Sequence, residues 1–66
     1  MERKKYIELA QRRSLGDRSV KVRYKGGEYY PNAYLLWYKD GAVRHTAVLE
    51  DEYGRTVHAL LERVEG

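Results

Sequence analysis

His45 and His58 are the only histidines, and with no cysteine in the chain a metal site would need Asp or Glu as its third ligand. Neither belongs to an H-E-x-x-H or H-x-x-x-H spacing, so both read as ordinary sheet or surface residues. Ser14 and Ser19 are the only serines, and neither stands in the G-x-S-x-G turn that exposes a nucleophile. Gly26-Gly27 is too short to cradle a phosphate, and no G-x-x-x-x-G-K-[ST] run occurs. Glu50-Asp51-Glu52 lacks the alternating oxygen donors of a calcium loop. It reads as a solvated loop, with contact to a basic partner as the weaker alternative. These patterns point away from an enzyme and call for no metal and no cofactor.

Two other sets of residues have a chemical direction. Seven Tyr and one Trp, with no Phe, is an unusual choice for a core, because each phenol must place its hydroxyl in water or against a hydrogen-bond partner. Tyr29, Tyr30, Tyr34, Trp37 and Tyr38 fall within ten residues and are candidates for binding a protein partner or a second copy of the chain. The alternative is a thin, half-exposed sheet with no deep interior for Phe. The second set is basic. Lys21, Arg23 and Lys25 alternate along one strand, about 7 Å apart on one face, at twice the rise per residue. With Lys4, Lys5 and Arg12 on the wet side of the preceding helix they form a candidate surface for DNA or RNA phosphates, where exposed tyrosines could stack on unpaired bases. Lysine- and arginine-rich strand faces also serve simply to discourage edge pairing.

Charge follows the same division. Residues 1–25 carry nine cations against Glu2, Glu8 and Asp17, a net +6, whereas residues 26–66 carry four cations against seven acids, a net −3. The chain is dipolar if the fold keeps these halves apart, and evenly charged if it mixes them.

The elements that must position these residues are short. Glu2 to Ser14 is free of Gly and Pro and places Tyr6, Ile7, Leu9 and Ala10 on one arc of a helix. Glu8 and Arg12 form an i,i+4 pair on its outer face, and Leu15-Gly16 supplies a left-handed stop. Arg18 to Lys25 alternates Val20, Val22 and Tyr24 with polar residues, the period of a half-buried strand. The Lys25-Gly26-Gly27-Glu28 turn, with its two glycines central, leads into a second strand, Tyr29 to Lys39, in which Pro31 marks an edge or bulge. From Ala33 onward both faces of that strand are apolar, as in a strand covered on both sides or one that meets a partner. Asp40-Gly41 is a strong hairpin signal, returning the chain as a third strand from Ala42 to Leu49.

The last segment is ambiguous. Val57, Leu60, Leu61 and Val64 recur at helical spacing with Thr56 as a possible cap, while the short connection through Gly54-Arg55-Thr56-Val57 favours a fourth strand. The reading adopted is α+β: one domain, residues 1–66, with the N-terminal helix packed on a twisted antiparallel sheet of about four strands, curled like a small barrel if the twist is strong enough. The alternative is α-β-β-β-α with a helix over 56–65. A chain of this length buries only about 60% of its unfolded surface, which argues against a deep active site. Without cysteine, only packing or self-association can staple its core. The longest apolar stretch, Ala33 to Tyr38, is far too short to span a membrane, and no signal-like run follows Met1-Glu2-Arg3-Lys4-Lys5. A cytoplasmic location and no membrane contact are expected.

Four stretches together resemble a set of known sequences: Met1-Glu2-Arg3-Lys4-Lys5-Tyr6-Ile7-Glu8-Leu9, Val22-Arg23-Tyr24-Lys25-Gly26-Gly27-Glu28-Tyr29-Tyr30-Pro31, Arg44-His45-Thr46-Ala47-Val48-Leu49, and Leu61-Glu62-Arg63-Val64-Glu65. They resemble short uncharacterised proteins encoded on conjugative transposons of clostridia and related Firmicutes. The resemblance carries no mechanistic motif and no functional residues to transfer. It implies an accessory protein of a mobile element, with DNA or the transfer machinery as natural partners. The expected function is therefore a small, non-catalytic nucleic-acid-binding module, with a protein-interaction module or homodimer using the tyrosine-rich strand as the alternative.

Overall fold

The computed structural model describes residues 1–66. Helix α1 spans Arg3–Ser14, followed by strands β1 (Val22–Tyr24), β2 (Gly27–Lys39), β3 (Ala42–Glu50) and β4 (Thr56–Leu60) and a 3₁₀ turn at Leu61–Arg63. The helix stops in a Schellman arrangement: Gly16, at φ +99°, donates to the Arg13 carbonyl, and the Asp17 amide donates to that of Arg12. This geometry folds Asp17 back over the last turn, where its carboxylate meets the Arg12 guanidinium at 2.9 Å. Arg12 is thus engaged with Asp17 and not with Glu8, as the helical spacing alone had implied.

The strands form an antiparallel meander in the order β1-β2-β3-β4. Two tight turns hold it. In the first, Tyr24 pairs with Gly27, so the two central residues are Lys25 and Gly26, with φ of 49° and 79°, and Gly27 already belongs to β2. In the second, Lys39 pairs with Ala42 around Asp40 and Gly41, with φ of 51° and 75°. Positive φ at both central positions is the hairpin geometry whose twist matches that of the strands. A register shift between Pro31 and Ala33 places a bulge where the proline cannot donate.

The first strand is much shorter than its alternation suggests. The Asp17 carboxylate accepts the Ser19 amide at 3.0 Å and the Ser19 hydroxyl, holding that segment in a local turn and leaving only Val22–Tyr24 to pair. At the other end, β4 is a strand. The helical recurrence there reflects a strand that runs directly into a 3₁₀ turn, so that Ala59, Leu61 and Val64 all reach the core.

The sheet is open, not a closed barrel. The chain does return towards β1, through a single bridge in which Arg23 and Glu65 exchange backbone hydrogen bonds of 2.7 and 2.8 Å. The core is one thin layer between helix and sheet: Tyr6, Val22, Ala47, Leu49, Ala59, Leu61 and Val64, flanked by Leu9, Tyr24, Tyr29 and Tyr34. Only eleven of 66 residues are buried, so little apolar surface secures the fold.

Candidate partner-binding surface

Strand β2 has 13 residues, while β1 has three and β4 five. This mismatch creates the most distinctive surface of the molecule. Pairing with β1 ends at Tyr29, and pairing of β3 with β4 begins only at Thr46. Beyond those points, Leu36–Lys39 and Ala42–His45 pair with each other alone, forming a two-stranded arm with Leu35 at its base. The molecule is correspondingly elongated, 36 Å long against 21 and 18 Å across.

The arm has no apolar core of its own, yet its side chains are apolar on both faces. By strand alternation Leu35 and Trp37 lie on one face, and Tyr34, Leu36 and Tyr38 on the other, where Val43 and His45 join them from β3. Leu35, Leu36, Trp37, Tyr38 and Val43 are all exposed, Trp37 at 49% and Tyr38 at 77% of their full surface. Isolated exposed hydrophobics need no explanation, but five within nine residues, on the two faces of one projection, are a concentration of the kind that marks an interaction site.

The five aromatic candidates therefore separate. Trp37 and Tyr38 lie on the arm. Tyr29 and Tyr34 are half-buried against the core, Tyr29 edge-on to Tyr24 at 6.3 Å. Tyr30 is half-buried beneath cations, with the Arg13 guanidinium 4.5 Å and the Lys21 ammonium 5.7 Å from its ring centre. Leu35, Leu36 and Val43 belong to the exposed patch although the aromatic count did not single them out. The signal for Leu35 and Leu36 is the loss of alternation after Ala33, whereas Val43, in β3, has none in the sequence.

The two histidines support this region. His45 stacks on Tyr34, with ring centres 5.9 Å apart, and its Nδ1 is hydrogen-bonded to the Tyr34 hydroxyl. His58 meets Trp37 edge to face at 6.2 Å, steadying the indole from β4. No group of three or more His, Asp or Glu side chains is arranged to hold a metal ion.

The six basic candidates occupy different settings. Arg12 is paired with Asp17 at 2.9 Å, Lys21 lies 4.0 Å from Glu28 and Arg23 lies 3.9 Å from Glu65. Lys25 sits in the first hairpin turn with its ammonium 5.4 Å from the Tyr24 ring. Of the three residues read as one strand face, only Arg23 is within β1. Lys4 and Lys5 are exposed in the first turn of α1, which contains no acidic residue.

A shallow cleft of about 120 Å³ lies at the C-terminal end of the helix, beside the β2 bulge. Arg13, Asn32 and Glu50 form a polar cluster in its lining: the Arg13 guanidinium is 3.8 Å from Glu50, and Asn32 donates to the same carboxylate at 3.3 Å. Arg13 Nε is buried without a hydrogen-bond partner. No helix of the chain is long and apolar enough to cross a membrane. No protein-family model, curated protein or solved structure matches this chain.

Proposed function

We propose that the protein is a non-catalytic interaction module that works through the β2–β3 arm. The observation that carries this reading is the exposure of Leu35, Leu36, Trp37 and Tyr38 in succession, on both faces of a ribbon that extends past its neighbouring strands. A chain with so thin a core gains nothing in its own stability from apolar residues held in water, whereas a partner that covers them gains the burial. Photo-crosslinking in the cells that make the protein tests this. A benzophenone side chain at Tyr38 should give a heavier adduct, whereas the same probe at Tyr53, equally exposed but in the β3–β4 loop, should give none. No adduct at Tyr38, or equal adducts at both sites, would overturn the reading.

Nucleic-acid binding is the second reading, and one observation favours it. Arg3, Lys4 and Lys5 crowd the first turn of α1, where the helix dipole disfavours cations, a placement that costs stability and suits phosphate contact. It predicts DNA or RNA affinity that falls steeply with salt and is weakened by Lys4→Glu with Lys5→Glu. Salt-independent binding, or no effect of the pair, would remove it. An accessory role on a mobile element rests on the sequence resemblance alone.

A further inference from the structure

We infer that the partner of the arm is a second copy of this chain, paired antiparallel along the free edge of β2 about Leu36; the inference rests on the arm being the binding surface. The pairing follows from the hairpin register. A two-residue turn is closed by a pair that exchanges both hydrogen bonds, here Lys39 and Ala42, so Trp37 and Leu35 also direct their backbone groups towards β3. The N–H and C=O groups of Tyr34, Leu36 and Tyr38 then point the other way, to an edge no strand covers, because β1 ends opposite Tyr29. An edge with regularly spaced free donors and acceptors is a template for another strand.

The side chains make that template self-complementary. The segment Tyr34-Leu35-Leu36-Trp37-Tyr38 has the same apolar pattern in either direction. With Leu36 opposite Leu36 of the second copy, Tyr34 faces Tyr38 and Leu35 faces Trp37. Every cross-strand pair is then aromatic or aliphatic, and no like charges meet. Tyr34, Leu36 and Tyr38 supply the hydrogen-bonded positions in both copies, as twofold symmetry requires.

Charge at the ends agrees with the same register. Four residues beyond Leu36, the second copy's Asp40 arrives opposite Asn32, with its Lys39 alongside. Asn32 borders the cleft that holds Arg13 and Glu50. A tip bearing one cation and one anion thus arrives beside a cleft that itself holds one cation and one anion.

Because the protein contains no cysteine, one substitution reads the register directly. Leu36→Cys places two thiols across the twofold axis at a hydrogen-bonded pair, where Cα atoms stand about 5.5 Å apart, within disulfide reach. Mild oxidation of micromolar protein should convert most of this variant to a covalent dimer, and leave a Val43→Cys control mostly monomeric. Sedimentation of the unmodified protein should show a dimer that Leu36→Asp dissociates at least tenfold more readily, with unchanged circular dichroism. A monomer at every concentration up to several hundred micromolar would overturn the second-copy inference and leave the arm to its crosslinking test. A dimer indifferent to Leu36→Asp, or equal crosslinking of both cysteine variants, would overturn this register.

Discussion

The hydroxyl of Tyr6 lies 2.9 Å from the Val48 carbonyl oxygen and 3.0 Å from that of Ala33, so its one proton is shared between β3 and β2 just beyond the bulge. Tyr6 is the largest fully buried side chain and the point at which helix and sheet are joined. Through it, a helix with a narrow apolar stripe fixes the base of the arm. Burial pushes its phenol up to about 12 from an ordinary value of 10.0.

Tyr6→Phe should therefore destabilise the fold by about 1–2 kcal/mol through loss of the buried hydrogen bond. The same residue sets an alkaline limit. Between pH 10 and 12 the unfolded chain loses this proton while the folded chain keeps it, so stability is complete below pH 10 and falls as pH rises. Two units correspond to about 2–3 kcal/mol. Denaturant titrations across this range should show a shallower decline for Tyr6→Phe than for the parent. An identical decline would contradict the assignment.

Asp51 should set part of the acid limit. Its carboxylate organises the β3–β4 loop, accepting the Tyr53 and Arg55 amides at 2.9 Å each and the Arg55 side chain at 3.0 Å. Partial desolvation raises its carboxyl, but the Arg55 and Tyr53 amides and the Arg55 guanidinium outweigh this and hold it below 3.8. Its contribution is present above that value and is lost as pH falls through the lower folded one. Asp51→Asn should be less stable than the parent at neutral pH, and the gap should narrow below pH 3.8. A gap independent of pH would exclude the charged network.

The arm should be dispensable for folding. At concentrations low enough to keep the chain monomeric, Tyr38→Ser should shift stability by no more than about 0.5 kcal/mol, as for other exposed positions. Leu49→Ala, in the core, should cost about 2–5 kcal/mol. Thermal melts of the two variants check this. Comparable losses would place the arm in the structural core.

Lys4→Glu and Lys5→Glu should each stabilise the protein, by about 0.3–1 kcal/mol, because an anion in the first helical turn favours the dipole that the cation opposes. Denaturant midpoints at low salt test the sign. A loss of stability would mean that these lysines make folded-state contacts of their own.

The helix and the second hairpin were legible in the sequence because each is fixed locally, by a run without breakers and by an Asp-Gly turn, whereas the fourth strand was favoured over a helix only by its short connections. What escaped depends on contacts distant in sequence or on competition for a single backbone group. Strand β1 is short because the Asp17 carboxylate takes the Ser19 amide. Arg12 chooses Asp17 because the left-handed Gly16 brings that carboxylate back over the helix end. Lys25 occupies a left-handed position that composition assigned to a glycine. Apolarity on both faces after Ala33 was visible, but whether a layer covered it depended on where β1 and β4 stop, which no alternation pattern encodes. The tyrosine cluster divides for the same reason, with Tyr29, Tyr30 and Tyr34 at the covered end and Trp37 and Tyr38 on the projection.

Trp37 is the only tryptophan and lies on the arm, so its emission reports that surface alone. The most direct measurement is quenching of this fluorescence by acrylamide from nanomolar to several hundred micromolar protein, for the parent and for Leu36→Asp. Self-pairing through the arm predicts free quenching of both in dilute solution and progressive shielding of the parent alone as concentration rises. Equal quenching of both proteins at every concentration would contradict self-pairing through the arm.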